Sequence, residues 1–164
     1  MSCTASSTVD SGRRIILLDI ENQVGGGRCG DDRLRLTIDG FETAVDAKSD
    51  DLIFVAATPQ LAYSYGLLRP KPSVRCAYGQ DGADLRLITD VPIDYVCDRA
   101  DELIIGSGDH IFIDHAIAAR DRGLRVRIVG PKFAIHHVYW QHDFEIIQLA
   151  SIKEMRQACL ALGA

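Results

Sequence analysis

The chain has no Cys-x-x-Cys pair, and its five cysteines are an odd, scattered set. That argues against a zinc ribbon or a disulfide framework and fits a reducing cytoplasm. Cys76 and Cys97 sit among apolar neighbours and read as small core fillers. No apolar run approaches the roughly 18 residues that a membrane span needs, so no membrane partner is expected. Positive charge is in short supply: 18 Lys and Arg stand against 23 Asp and Glu, a formal net charge of −5. Proteins that grip nucleic acid through its phosphates usually carry a basic patch. The acidic total therefore weighs against a nucleic-acid substrate without excluding one, because a bound cation would offset an acidic site. Gly25-Gly26-Gly27 lacks the Lys-Ser/Thr of a P-loop and the spacing of G-x-G-x-x-G, so it reads as a mobile loop. Residues 1–8 are polar and lack the apolar middle of a secretory signal, and residues 1–12 are expected to form a flexible tail.

What is present fits one domain over residues 13–164. A chain of 164 residues that is 47% hydrophobic and 25% charged can bury a real core. Short apolar runs alternate with longer amphipathic ones. Strands are expected at Arg14–Asp19, Leu52–Ala57, Ser73–Ala77, Glu102–Gly106 and Leu124–Val129. Between them, Asp31–Lys48 carries Leu34, Ile38, Phe41 and Val45 at helical offsets, with Asp31 or Asp32 as its cap. Pro59–Leu67 is a short helix. Ala83–Val96 is helical with a kink or break at Pro92, and Ile111–Arg122 is a helix that stops at Gly123. The tail holds a helical turn near Ala134–Trp140, an apolar run Phe144–Leu149 and a last helix from about Ile152. Repeated alternation implies an α/β fold, a three-layer α/β/α sandwich around a mostly parallel sheet.

Three short stretches carry the chemistry. An apolar run ends at Asp19, with Glu21 and Asn22 just beyond; Asp84 opens a helix; Asp109 follows a second apolar run, two residues after Ser107. Open α/β sheets bind ligands outside the carboxyl ends of their strands. Carboxylates gathered there suit a hard divalent cation, Mg²⁺ or Mn²⁺, and with it phosphoryl transfer or phosphodiester hydrolysis. The bland alternative is that each acid only caps a helix; Asp84 and Asp109 both fit that role. Asp19, at the end of a buried strand, fits it less well.

These segments resemble the NYN domain of the PIN-like nuclease superfamily. Ile16-Leu17-Leu18-Asp19-Ile20-Glu21-Asn22 resembles its opening strand with a D-x-E-N signature. Gly82-Ala83-Asp84 resembles its G-x-D helix start, and Ser107-Gly108-Asp109-His110-Ile111-Phe112 its S-G-D-G-D-F segment. The order and spacing hold across residues 14–130. The resemblance implies a PIN-like sandwich and a metal-dependent ribonuclease. Asp19, Asp84 and Asp109 would then be metal ligands and catalytic residues, and Asn22 and Ser107 would support the ligands or the substrate. One acid of the pattern is missing: Ile111 stands in its place, which weakens a second metal position unless Asp114 or Glu21 reaches in. The alternative implied is a non-catalytic member that binds RNA or protein. A haloacid-dehalogenase-like phosphatase would need D-x-D-x-T where this chain has Asp19-Ile20-Glu21-Asn22-Gln23.

His110, directly after Asp109, is a candidate for substrate contact. His136 and His137 are adjacent, should point to different faces of a helix, and read with His142 as surface polar residues. Arg69, Lys71, Arg75 and Lys132, with Tyr63, Tyr65 and Tyr78, could hold and stack single-stranded RNA, although solvated surface charge is the commoner role of such residues. RNA is the expected partner, and a homodimer is left open.

Overall fold

The central apolar runs of the sequence become strands covered on both sides. The computed structural model describes residues 12–79 and 82–162. The expected tail, residues 1–12, lies outside the described residues except for Gly12. Among those described, six strands form one sheet: β1 (Arg14–Asp19), β2 (Leu52–Ala57), β3 (Ser73–Cys76), β4 (Glu102–Gly106), β5 (Arg125–Pro131) and β6 (Glu145–Leu149). Their order is β3-β2-β1-β4-β5-β6, and every pairing is parallel. Every residue of β1 is buried. Helices on both faces leave no polar side to a central strand, so its sequence is a continuous apolar run.

Successive residues of β1 point to opposite cores. Ile15 and Leu17 pack, with Leu103, Ile105, Val126 and Ile128, beneath α4 (Gly82–Asp90), α5 (Ile93–Arg99) and α6 (Ile113–Asp121). Ile16 and Leu18 pack, with Val55, Ala57, Ile104 and Val129, beneath α1 (Ile20–Val24), α2 (Asp31–Val45) and α3 (Pro59–Leu68). Met155 of α7 (Ile152–Leu162) joins that second core. The molecule is a three-layer α/β/α sandwich. Each fully buried Ile or Leu contributes roughly 1.5–3 kcal/mol, so the two cores hold the sheet.

Pro92 breaks Ala83–Val96 into α4 and α5, as expected. Several other elements depart from the sequence expectation. The segment from residue 111 starts as a 3-10 turn, His110–Phe112, before α6. Phe144–Leu149, left unassigned, is the edge strand β6, and the turn near Ala134–Trp140 is a 3-10 turn at His137–Gln141. Neither Asp31 nor Asp32 caps α2: the cap position is Gly30, and both acids sit in the first turn, where the helix dipole favours them. Cys76 is exposed and fills no core, because it ends an edge strand; Cys97 does pack against the core, partly buried.

The amino edge of the sheet is bound by paired charges. Arg14 donates to Asp51 through Nε at 2.7 Å and Nη2 at 2.5 Å, and to the carbonyls of Val45 and Asp46 at the end of α2. Arg127 donates to Glu102 on the neighbouring strand at 2.6 Å. The carboxyl edge is different.

Candidate functional site

β1 runs into the tight helix α1, and Asp19 sits at the junction. It is 4% exposed. One carboxylate oxygen accepts the backbone N–H of Asn22 at 3.2 Å and caps α1. The other accepts the hydroxyl of Ser107 at 3.3 Å. Ser107 is fully buried, and its oxygen accepts the backbone N–H of Asp109 at 3.2 Å. One hydroxyl thus couples the end of β1 to the loop after β4. Asn22 adds a second link, its Oδ1 accepting the N–H of Gly108 at 2.9 Å. Asp109 accepts the N–H of Ile111 at 3.0 Å, capping the 3-10 turn, and lies 3.1 Å from His110 Nδ1. Asp84 is buried in the first turn of α4, whose start packs beside Ala77.

Asp19, Glu21, Asp84 and Asp109, with Asn22 and the Gly82-Ala83 segment, line one open cleft of about 220 Å³. It lies outside the carboxyl ends of the strands, where β1 hands the chain to one helical layer and β4 to the other. That reversal of direction is where doubly wound sheets bind ligands. Three sequence-distant acids therefore share a crevice, as the motif reading expected. Two of them, Asp19 and Asp109, also serve as caps. Glu21 lines the cleft although Ile111 does not; its Oε1 accepts the N–H of Thr58 at 2.8 Å. Asp114 is exposed on α6 and is not part of the lining. Ile111 packs against the core beneath α6.

The field in the cleft is negative. Burial pushes the pKa of Glu21 up, and the neighbouring Asp19 pushes it further, against the lowering effect of the Thr58 amide. Burial, with Asp109 and Asp84 nearby, also drives the Tyr139 phenol well above its ordinary value. Among the described residues no Lys or Arg lies within ion-pair distance of Asp19 or Asp109. The donor chemistry, carboxylate oxygens from three separate elements, fits a hard divalent cation. The spacing is looser: among the described residues, no group of three or more His, Cys, Asp or Glu converges as a ready-made metal site. Hydrogen bonds to backbone amides and to Ser107 already engage the Asp19 and Asp109 carboxylates.

Comparison with family models, with curated proteins and with solved structures returns no match to this chain.

The expected substrate residues are distributed unevenly. His110 is 69% exposed beside Asp109 at the cleft rim. Its ring lies 5.1 Å from that of His136, which lies 4.3 Å from that of His137. The adjacent histidines do not diverge as helical neighbours would, because His136 has extended backbone and caps the turn that follows. Sequence reasoning missed this row of rings; two loops far apart in the chain build it. Arg69 and Lys71 line a hollow at the amino ends of β2 and β3, the edge opposite the acids. Arg69 is held there by Glu42 and Asp39, and Arg75 by Asp90. Tyr65 is buried packing, whereas Tyr78 is 79% exposed in the loop leading from β3 to α4 and Asp84.

Proposed function

We propose that this chain is a Mg²⁺- or Mn²⁺-dependent ribonuclease of the NYN kind, with Asp19, Asp84 and Asp109 as the residues that would hold the ion. The observation that carries the reading is the single cleft, at the sheet's point of reversal, into which β1, α4 and the loop after β4 each contribute a buried or half-buried carboxylate. A cation bound there would polarise the phosphate and lower the pKa of a bound water. The chain's own groups supply the rest. Ser107 and Asn22 hold the two loops in register. Glu21, whose grip on protons is strengthened by burial, suits the role of accepting a proton from the attacking water. Water oxygen then bonds to phosphorus as the bond to the departing ribose oxygen breaks. His110, exposed beside Asp109, and Tyr78, exposed in the loop that leads to α4, suit contacts to a phosphate and a base. The four described cysteines are all free, which supports a reducing compartment such as the cytoplasm.

The test is cleavage of labelled single-stranded RNA with Mn²⁺ and with chelator. Wild type is expected to cut only with metal, and Asp19→Asn to lose about a hundredfold or more in rate. Equal rates in the two proteins overturn the assignment. A second reading, a non-catalytic RNA-binding or protein-binding member of the same fold, is favoured by one observation: the acids do not converge as a ready-made metal site.

A further inference from the structure

Beside the acidic cleft, and sharing Asn22 with it, runs a second hollow of about 500 Å³. It lies between α2, α7 and the loop after β5, and its lining includes Gln23, Arg33, Phe133, Leu149 and Arg156. The size is that of a small-molecule pocket. We infer that this groove seats one nucleotide of a single-stranded RNA whose neighbouring phosphate lies in the acidic cleft. The inference rests on the ribonuclease reading for the identity of the strand.

Three observations carry it. The first is charge. Of the fourteen described arginines, eight pair with a described carboxylate and six do not; two of those six, Arg33 and Arg156, line the one groove. Arg33 donates to the Val24 carbonyl at 2.6 Å, which fixes its side chain at the groove wall. Two guanidinium groups unmatched by acid, beside a cleft full of acid, complement a phosphate chain that crosses from one to the other. The second is Phe133, whose ring is 96% exposed on the lining. An exposed aromatic ring at the edge of a groove suits stacking on a base. The third is Gln23, which is 5% exposed. Its Nε2 donates to the Val129 carbonyl at 3.0 Å, and its Oε1 has no hydrogen-bond partner. A buried acceptor in a groove wall calls for a donor, which a ribose hydroxyl or a base amino group supplies.

The experiment is fluorescence anisotropy of the full chain with a labelled single-stranded RNA, in chelator so that nothing is cut. Phe133→Ala and Arg156→Glu remove exposed side chains, and unchanged melting curves check that both variants fold. Each is expected to bind about tenfold more weakly, and Arg156→Glu also to flatten the salt dependence by about one phosphate. Duplex RNA of the same sequence is expected to compete poorly, because its bases are not available for stacking. Wild-type affinity in both variants, no binding by wild type in chelator, or equal competition by duplex overturns the groove. Binding with the expected losses, but no cleavage with Mn²⁺, leaves the groove standing and removes the ribonuclease reading. Cleavage with unchanged KM in both variants does the reverse.

Discussion

Ser107 and Glu21 show what single residues contribute to this cleft. The Ser107 hydroxyl is fully buried, donates a hydrogen bond to Asp19 and accepts the Asp109 amide, so it ties the end of β1 to the loop after β4 and offers no surface to a substrate. Glu21 is under tension of another kind. It accepts the Thr58 amide, yet burial and Asp19 raise its pKa above the ordinary 4.5. A raised carboxyl pKa means the folded state binds the proton more tightly than the unfolded chain does. The stability this contributes is present below 4.5 and is lost as pH rises through the raised value. Glu21→Gln keeps an acceptor for Thr58 without the charge. It is expected to melt about 1 °C higher than wild type at neutral pH, and at the same temperature in acid, since solvent screening holds the effect to a few tenths of a kcal/mol. Thermal melts across pH check this; a variant stabilised equally in acid refutes it. Asp19, Asp84 and Asp109 were legible in the sequence because apolar runs or a helix start deliver them to one edge. The Glu21 contact to Thr58 spans 37 positions and has no local signal. Nor did the sequence reveal the row of tilted histidine rings, whose geometry depends on one extended residue at the start of a turn.

At the scale of elements, the loops after β4 and β5 are locked together. His136 donates its amide to the Gly108 carbonyl at 2.8 Å, and the Tyr139 hydroxyl donates to the Asp109 carbonyl. A Cβ on Gly108 would lie 2.1 Å from the Ala134 carbonyl oxygen, and backbone cannot step aside. Gly108→Ala is expected to cost about 3 kcal/mol or more and to lower the melting temperature by about 10 °C. A Cβ at Gly66, in α3, meets nothing within 4 Å. Gly66→Ala is expected to stabilise by about 0.5–1 kcal/mol, and serves as the control in the same melts. Glycine's freedom from a side chain is therefore needed at the first site for a close approach and not at the second. The strands and long helices were readable from periodicity. Phe144–Leu149 was not, because a short apolar run has the same signature in a strand and in a buried helix. The brief α1 was missed because five residues are too few to show a period.

Across the whole molecule, the two edges of the sheet have opposite electrostatic character. At the amino edge, buried carboxylates are matched by guanidinium groups, as in Arg14 with Asp51 and Arg127 with Glu102. At the carboxyl edge, acids gather, and burial, with Asp19 adding to it, raises the pKa of Glu21. On the proposed reading, a cation held by these acids would bind the folded chain and not the unfolded one. Mn²⁺ at about a hundred times its dissociation constant is expected to add about 2.7 kcal/mol of stability, a rise of about 5–10 °C. Asp84→Asn is expected to lose most of that rise. No shift even at millimolar Mn²⁺ would favour the non-catalytic reading. No helix among the described residues is long and apolar enough to cross a membrane. The sequence conveyed the layers and the parallel sheet, but not which arginines lack a partner, since pairing depends on faces that only the folded chain brings together.

The strand order has a further consequence. Because β1 and β4 send their chains to opposite layers, the hollow above them is made by connectivity. Neutralising every acid along its rim would empty the bowl of charge without filling it. The concavity belongs to the strand order, and the charge within it to the side chains.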